Sequence, residues 1–306
     1  MPVAGVFGAT AACGKLLELD EDKMVNALGI AFTQAAGTMQ AVYDVGSDIR
    51  GMLNGVPGEV GVRAALMAQI GCTGVRNIFD GQAGLINVYF GGKCNRSVLI
   101  GNLGNKFPAL NDGFKPWPAC GFTHPFIDAT LQLVQENDIH PDNVQEIIVS
   151  VGDITQNLCE PLDERRKPST PMNAKFSIPF TVAAAVAHRE VVLGDFLPNG
   201  IEDEAALELA QRVSYLVDPD YNWGAIMPPG KVEIRTLDGK NYSLRIDIPY
   251  GNPQKPLSWE DLIKKFRDCS SYSSKTIMLD NVDEVINMLI HLDEVEDVSS
   301  IIRMLR

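Results

Sequence analysis

The sequence predicts a mainly α-helical domain into which a smaller α+β domain is inserted. Three observations carry that expectation. Ala-rich segments with apolar residues at helical spacing run through residues 5–69, a β-branched run and an alternating hairpin appear only in the middle of the chain, and helical periodicity returns after Pro253. The expected partition is residues 1–112 and 253–306 for the helical domain and 113–252 for the inserted one.

Each element follows from local chemistry. Phe7, Ala11, Leu16 and Leu17, then Met24, Leu28, Ile30 and Ala31, then Val62, Ala65, Leu66 and Ile70 mark helices buried against one another. The small residues Gly8-Ala9-Thr10-Ala11-Ala12 let helix axes approach closely or let a ligand reach the backbone. Asp20, Glu21 and Asp22 place acids where the helix dipole favours them, just ahead of Met24. The Pro/Gly-rich stretch 111–118 marks the change of character. A helix over 126–134 precedes the strand 144–151, and two helices, 178–188 and 202–213, come before the hairpin. There Val232 and Ile234, then Leu244, Ile246 and Ile248, alternate with polar residues across an Asp238-Gly239 turn. Ser258 is an N-cap for the returning helices, and residues 282–305 complete the chain as helix.

Composition excludes several function classes. With 26 Lys+Arg against 39 Asp+Glu, the formal charge of −13 rules out a nucleic-acid binder held by a general basic field. Hydrophobic residues at 45% and charged residues at 21% supply a sizeable core and exclude a disordered chain. Six scattered cysteines, with no CxxC pair, argue against a zinc site or a disulfide framework and suit reduced thiols in a cytoplasmic protein. No secretory leader and no long apolar run are evident, so no membrane partner is expected. The G-x-S-x-G, H-E-x-x-H and Walker A patterns are missing, and Gly101-Asn102-Leu103-Gly104 lacks the βαβ unit a dinucleotide fingerprint needs. Neither metal nor cofactor is expected.

Two segments could do chemistry. Lys115-Pro116-Trp117-Pro118-Ala119-Cys120-Gly121-Phe122-Thr123-His124 sets a lysine, a cysteine and a histidine among rigid Pro and aromatic residues, which could desolvate the lysine and bring its pKa toward neutrality. Spacing alone equally allows a solvated linker lysine and a histidine at a helix start. The Gly-rich stretch 46–58, read as a loop before a helix that starts near Gly61, carries Arg50. That arginine suits a carboxylate or phosphate, or simply pairs with Asp48.

Taken in order along the chain, these segments resemble the MmgE/PrpD family, which includes 2-methylcitrate dehydratases, cis-aconitate decarboxylases and iminodisuccinate epimerases. The resemblance rests on Val6-Phe7-Gly8-Ala9-Thr10-Ala11-Ala12, Gln34-Ala35-Ala36-Gly37, Gly61-Val62-Arg63-Ala64-Ala65-Leu66, Lys115-Pro116-Trp117-Pro118-Ala119-Cys120 with His124-Pro125, Ala174-Lys175-Phe176-Ser177, and Gly251-Asn252-Pro253. It implies a helical domain with a smaller α+β lid domain, a homodimer, and cofactor-independent lyase or isomerase chemistry on a small di- or tricarboxylic acid through proton abstraction next to a carboxylate. Lys115 and His124 then become the catalytic residues, and Arg50, Cys120 and Gln34 substrate-binding ones. Cys120 falls where some members carry an active-site histidine.

The sequence also departs from the family pattern. Where members carry Lys-Arg-x-His-Pro-Gly ahead of the helix at Gly61, Arg50 takes the lysine position, Gly51 the arginine, Leu53 the histidine and Asn54 the proline. Arginine can hold a carboxylate but cannot act as a base at neutral pH. Members also carry a long N-terminal portion ahead of Val6-Phe7-Gly8. Its absence here would expose apolar faces on the helices over 5–17 and 24–38 and favour association. Two alternatives to the enzyme reading follow. One is a catalytically incomplete member, fragment or subunit that needs a partner chain, and the other is a divergent member with new chemistry built on Arg50 and Cys120.

Overall fold

The computed structural model describes residues 2–37, 49–224 and 227–305, and the chain forms two compact units, Met1–Pro108 and Ala109–Arg306. It is mostly helical, with one small mixed sheet of four strands in the second unit. No helix among the described residues is long and apolar enough to cross a membrane.

In the first unit α1 (Pro2–Leu16) and α2 (Glu21–Phe32) pack with α3 (Gly55–Gln69) around Val6, Ala27, Ile30, Val60, Ala64 and Ala68. The Asp20 carboxylate caps α2 by accepting from the Lys23 amide at 2.8 Å, which satisfies one of the free donors at a helix start. The small residues serve close packing. A Cβ on Gly61 would lie 2.6 Å from Ala9 Cβ and 2.7 Å from the Ala9 carbonyl carbon, so only glycine lets α3 approach α1 this closely.

Two expectations change here. Of the stretch 46–58, residues 46–48 lie outside the described residues, and 49–58 are not a simple loop, since Ile49–Met52 is helical and α3 begins at Gly55 rather than near Gly61. Pro57 falls in the first turn of α3, where a missing amide hydrogen costs nothing. The apolar exposure also lies elsewhere. On α1 it is confined to Leu16 among the large side chains, and described α2 residues expose none; instead α3 presents Val62, Leu66 and Ile70, one helical turn apart and 48%, 46% and 81% exposed.

The second unit is built on strands β1 (Val144–Val151), β2 (Val213–Val217), β3 (Gly230–Thr236) and β4 (Asn241–Ile246), in the order β2-β1-β3-β4. β1 runs parallel to β2 and antiparallel to β3, and β3 and β4 form the expected hairpin, turning through Gly239 at φ +82°. Helix α4 (His124–Glu136) packs on β3 and β4, and α5 (Ile178–His188) completes a core with Phe126, Ile147, Val149, Ile178, Val182 and Ile234. Strand β2 was not anticipated. It is an edge strand whose Leu216 and Val217 are both exposed, so it shows no alternation to read.

Helix α6 (Glu204–Gln211) precedes β2; α7 (Trp259–Ser271) and α8 (Leu279–Ile290) follow the sheet. Ser258 caps α7 as expected, in a reciprocal box with Asp261. By its contacts the segment after Pro253 belongs to the second unit, whereas the sequence reading grouped it with residues 1–112. Polar anchors account for the difference. Asp268 on α7 accepts from the Leu193 amide at 3.3 Å, Lys264 pairs with Glu190 at 3.2 Å, and the Lys265 ammonium donates to the Lys115 carbonyl.

Candidate functional site

The Lys115–His124 segment folds as a Pro-rich arm that bends through 116–119 and ends in a single 3-10 turn, Gly121–Thr123, that feeds directly into α4. Pro116 and Pro118, with φ fixed by their rings, stiffen that bend, and Pro125 sits in the first turn of the helix. The arm is closed on itself: Lys115 Nζ donates to the Ala119 carbonyl at 3.1 Å, and Thr123 Oγ1 donates to the Cys120 carbonyl at 2.7 Å. The Cys120 amide donates to the Lys175 carbonyl at 2.8 Å, which ties the arm to the helical turn Pro171–Lys175.

This geometry buries His124, which is only 5% exposed. Trp117 meets its imidazole edge to face, with ring centroids 5.3 Å apart and planes at 81°. Its Nε2 is buried and has no hydrogen-bond partner. Burial, reinforced by the Lys115 charge and, more weakly, by the Lys265 charge, pulls the His124 pKa down to about 4, against opposing hydrogen bonds to the Ala119 and Trp117 backbone. At neutral pH the ring is therefore uncharged. A neutral imidazole with an open nitrogen can donate or accept one hydrogen bond, but it is a weak base.

The expected desolvation of Lys115 is not what this chain shows: Lys115 stands exposed, and burial falls on His124 instead. Beside them lies Lys265 of α7, half-buried, with its pKa lowered by burial and by the Lys115 charge despite the opposing Cys269 thiol. Neither lysine forms an ion pair among the described residues. Sequence reasoning missed Lys265 because its segment, Leu262-Ile263-Lys264-Lys265-Phe266, reads only as one turn of an amphipathic helix. Nothing local signals that it meets a residue 150 positions earlier.

The remaining predicted residues are distributed differently. Half-buried Cys120 packs against the sheet-side core, and Arg165 lies within electrostatic reach of it. Gln34 belongs to the first unit, just past the end of α2, where its Oε1 accepts from Arg63. Arg50 lies in the helical turn Ile49–Met52 of the same unit, with its side chain outside the described residues. The structure thus gathers Lys115, Cys120 and His124 on one arm and adds Lys265.

A cavity of about 400 Å³ adjoins the arm, with Trp117, Asp128, Glu190, Tyr250, Asp261 and Lys265 on its wall. Its volume suits a small metabolite. Lys115 and His124 do not line it; it lies beside them, and Trp117 and Lys265 are common to both. Buried Asp128 accepts from Gln132 at 2.7 Å, from the Tyr250 amide at 2.8 Å and from Lys255 at 3.1 Å. No cluster of three His, Cys, Asp or Glu side chains that could hold a metal ion occurs among the described residues.

Each of the two units is matched by a model of a known family. Residues 2–97 match the MmgE/PrpD N-terminal domain and residues 117–285 the MmgE/PrpD C-terminal domain. The cis-aconitate decarboxylase of Aspergillus terreus is 23% identical over 317 residues, covering 98% of this chain and 63% of that protein. The cis-aconitate decarboxylase of Homo sapiens is 26% identical over 309 residues, covering 99% of this chain and 62% of that protein. The chain thus spans less than two thirds of the length of these curated relatives. With both domain models matched in order across most of its length, the chain belongs to the MmgE/PrpD family.

Proposed function

We propose that the chain is a cofactor-independent lyase or isomerase of a small di- or tricarboxylic acid, in the manner of a 2-methylcitrate dehydratase or a cis-aconitate decarboxylase. The observation that carries this reading is the pairing of Lys115 and Lys265, which form no ion pair among the described residues, around a buried neutral histidine. Removing a proton next to a carboxylate builds negative charge on that carboxylate, and fixed cations lower the barrier by meeting it. Lys115 is the acid/base residue, exchanging the proton at Nζ, and Lys265 is the fixed cation that meets the charge. The neutral His124 orients the acid or relays the proton through its open nitrogen, and Arg50 anchors a carboxylate. Cys120 and Gln34 complete the binding residues. In this reading residues 113–252 correspond to the family's α+β lid domain, and the chain works in the cytoplasm as a homodimer.

A second reading is favoured by Leu53, which occupies the position of the family's histidine, and by the apolar stripe on α3. In it the chain is catalytically incomplete, or is a subunit whose partner chain supplies further helices. Proton NMR in deuterated buffer separates the two, with cis-aconitate and 2-methylcitrate followed for loss of signal and deuterium uptake. Turnover that disappears in Lys115→Ala supports the enzyme reading, and turnover retained in that variant removes Lys115 from the mechanism. If neither acid reacts or exchanges, the incomplete reading stands, and light scattering on co-expressed neighbouring chains then identifies the partner.

A further inference from the structure

We propose that His188, lodged between Asp195 and Asp203, is a proton-operated latch on the loop 189–202. Charged, it fastens the loop that walls the cavity beside Trp117; neutral, it lets that loop, and α7 docked on it, loosen. The inference concerns the second unit alone and stands whether or not Lys115 and His124 form an acid/base site.

The placement of three residues carries the argument. His188 is the last residue of α5 and Asp203 caps α6, so the two stand at either end of the loop. Asp195 sits midway, in the 3-10 turn Leu193–Phe196. His188 Nδ1 lies 2.8 Å from Asp195 Oδ1, and Nε2 lies 3.3 Å from Asp203 Oδ1. Both ring nitrogens thus face carboxylates, which only accept, whereas a neutral imidazole has a single N–H to give. Only the imidazolium satisfies both.

When the proton leaves, buried Asp195 keeps the remaining N–H, because a buried carboxylate short of donors costs more than an exposed one. Nε2 then turns a lone pair on Asp203, and the base of the loop opens. Asp203 still caps α6, since Oδ1 also accepts from the Ala206 amide at 2.8 Å. The neighbouring charges are engaged elsewhere: Glu190 with Lys264, Arg189 with Asp138 and, on α4 packed along α5, Asp128 with Lys255. The hydrogen bond to Asp195, against the opposing effect of burial and with the charges of Asp195 and Asp203, raises the His188 pKa above 6.5. The latch is therefore closed in acid and opens as pH rises through the folded value.

What the loop holds gives the latch its reach. Glu190, Val191 and Val192 line the cavity. The same loop docks α7: Glu190 pairs with Lys264 at 3.2 Å, the Leu193 amide donates to Asp268 at 3.3 Å, and the Tyr272 hydroxyl closes on Gly194, where a Cβ would lie 2.8 Å from it. Because α7 brings Lys264, Lys265, Asp268 and Cys269 to the cavity, a loop opened at its base frees that part of the wall as well.

The test is amide hydrogen exchange of the whole chain from pH 6 to pH 9, read by mass spectrometry and corrected for the chemical exchange rate, with the His188 ring titrated by proton NMR. Protection of residues 189–202 and of α7 is expected to fall several-fold over that range, following the ring's titration, and at pH 8 both should exchange well ahead of β1. Asp203→Asn, which keeps the α6 cap but removes the carboxylate, should abolish most of the pH response, and His188→Gln should exchange fast at every pH. A ring that titrates at or below 6.5, a loop that exchanges only together with β1, or a pH response that survives Asp203→Asn overturns the latch.

Discussion

Acidification should destabilise the second unit through His124, and the size of the effect follows from its burial. The unfolded imidazole takes up its proton near 6.5, and the folded one only near 4. Between those values the unfolded chain binds the extra proton, so stability falls as pH falls. The contribution is complete above 6.5 and gone below 4. At ~1.4 kcal/mol per pH unit, the full interval corresponds to about 3 kcal/mol, of which about 2 kcal/mol is lost between pH 7 and pH 5. The assay is urea unfolding followed by tryptophan fluorescence, which reports this unit because Trp117, Trp223 and Trp259 all lie in it. Other titrating groups cancel when wild type is compared with His124→Gln, which keeps a polar side chain but no titratable ring. The stability difference should narrow or reverse by about 2 kcal/mol on going from pH 7 to pH 5. A difference that stays flat over that range would refute the burial argument.

Three further outcomes are expected. Gly61→Ala forces α3 away from the Ala9 backbone and should cost about 1–3 kcal/mol, seen as a lower melting temperature by far-ultraviolet circular dichroism. Arg165 is buried and donates to the carbonyls of Glu160, Phe176 and Asn157 at 2.9, 3.1 and 3.0 Å. Arg165→Met removes all three of these donors and should cost about 3 kcal/mol in urea unfolding, and an unchanged midpoint would show the carbonyls finding water instead. His188 behaves oppositely to His124, because its hydrogen bond to Asp195 at 2.8 Å, helped by Asp203, raises its pKa. Its stabilisation is present below the unfolded value and lost as pH rises through the folded one, so wild type should outlast His188→Gln more clearly at pH 5 than at pH 8.

What the sequence revealed divides along physical lines. Strands β1, β3 and β4 were legible because one face is buried and the alternation is clean, and α5 because it is a continuous apolar run; the structure adds the Ser177 cap, whose hydroxyl accepts from the Phe180 amide at 3.0 Å. Strand β2 was not legible, since an edge strand with one buried residue has no pattern. The start of α3 was missed because Gly55, Pro57 and Gly58 look like a loop, and only their place in a first helical turn reconciles them with helix. Lys115, Cys120 and His124 could be found together because the chain itself brings them together. Lys265 could not, because its neighbourhood is a tertiary fact. The grouping of α7 with the sheet was hidden for the same reason, resting on Asp268, Lys264 and Lys265 meeting partners far away in sequence.

The attachment of α7 to the Lys115 backbone has a bearing on how the protein is made. Synthesis proceeds from the N-terminus, so the arm, the sheet and α5 all emerge before Lys265 does. The β-sheet core can close while the wall of the cavity is still in the ribosome. A nascent chain stalled after the hairpin would therefore hold a buried histidine and an exposed lysine without the second cation beside them, a folded body with an unfinished mouth. Charge arrives last, on a helix that docks through side chains rather than strand pairing.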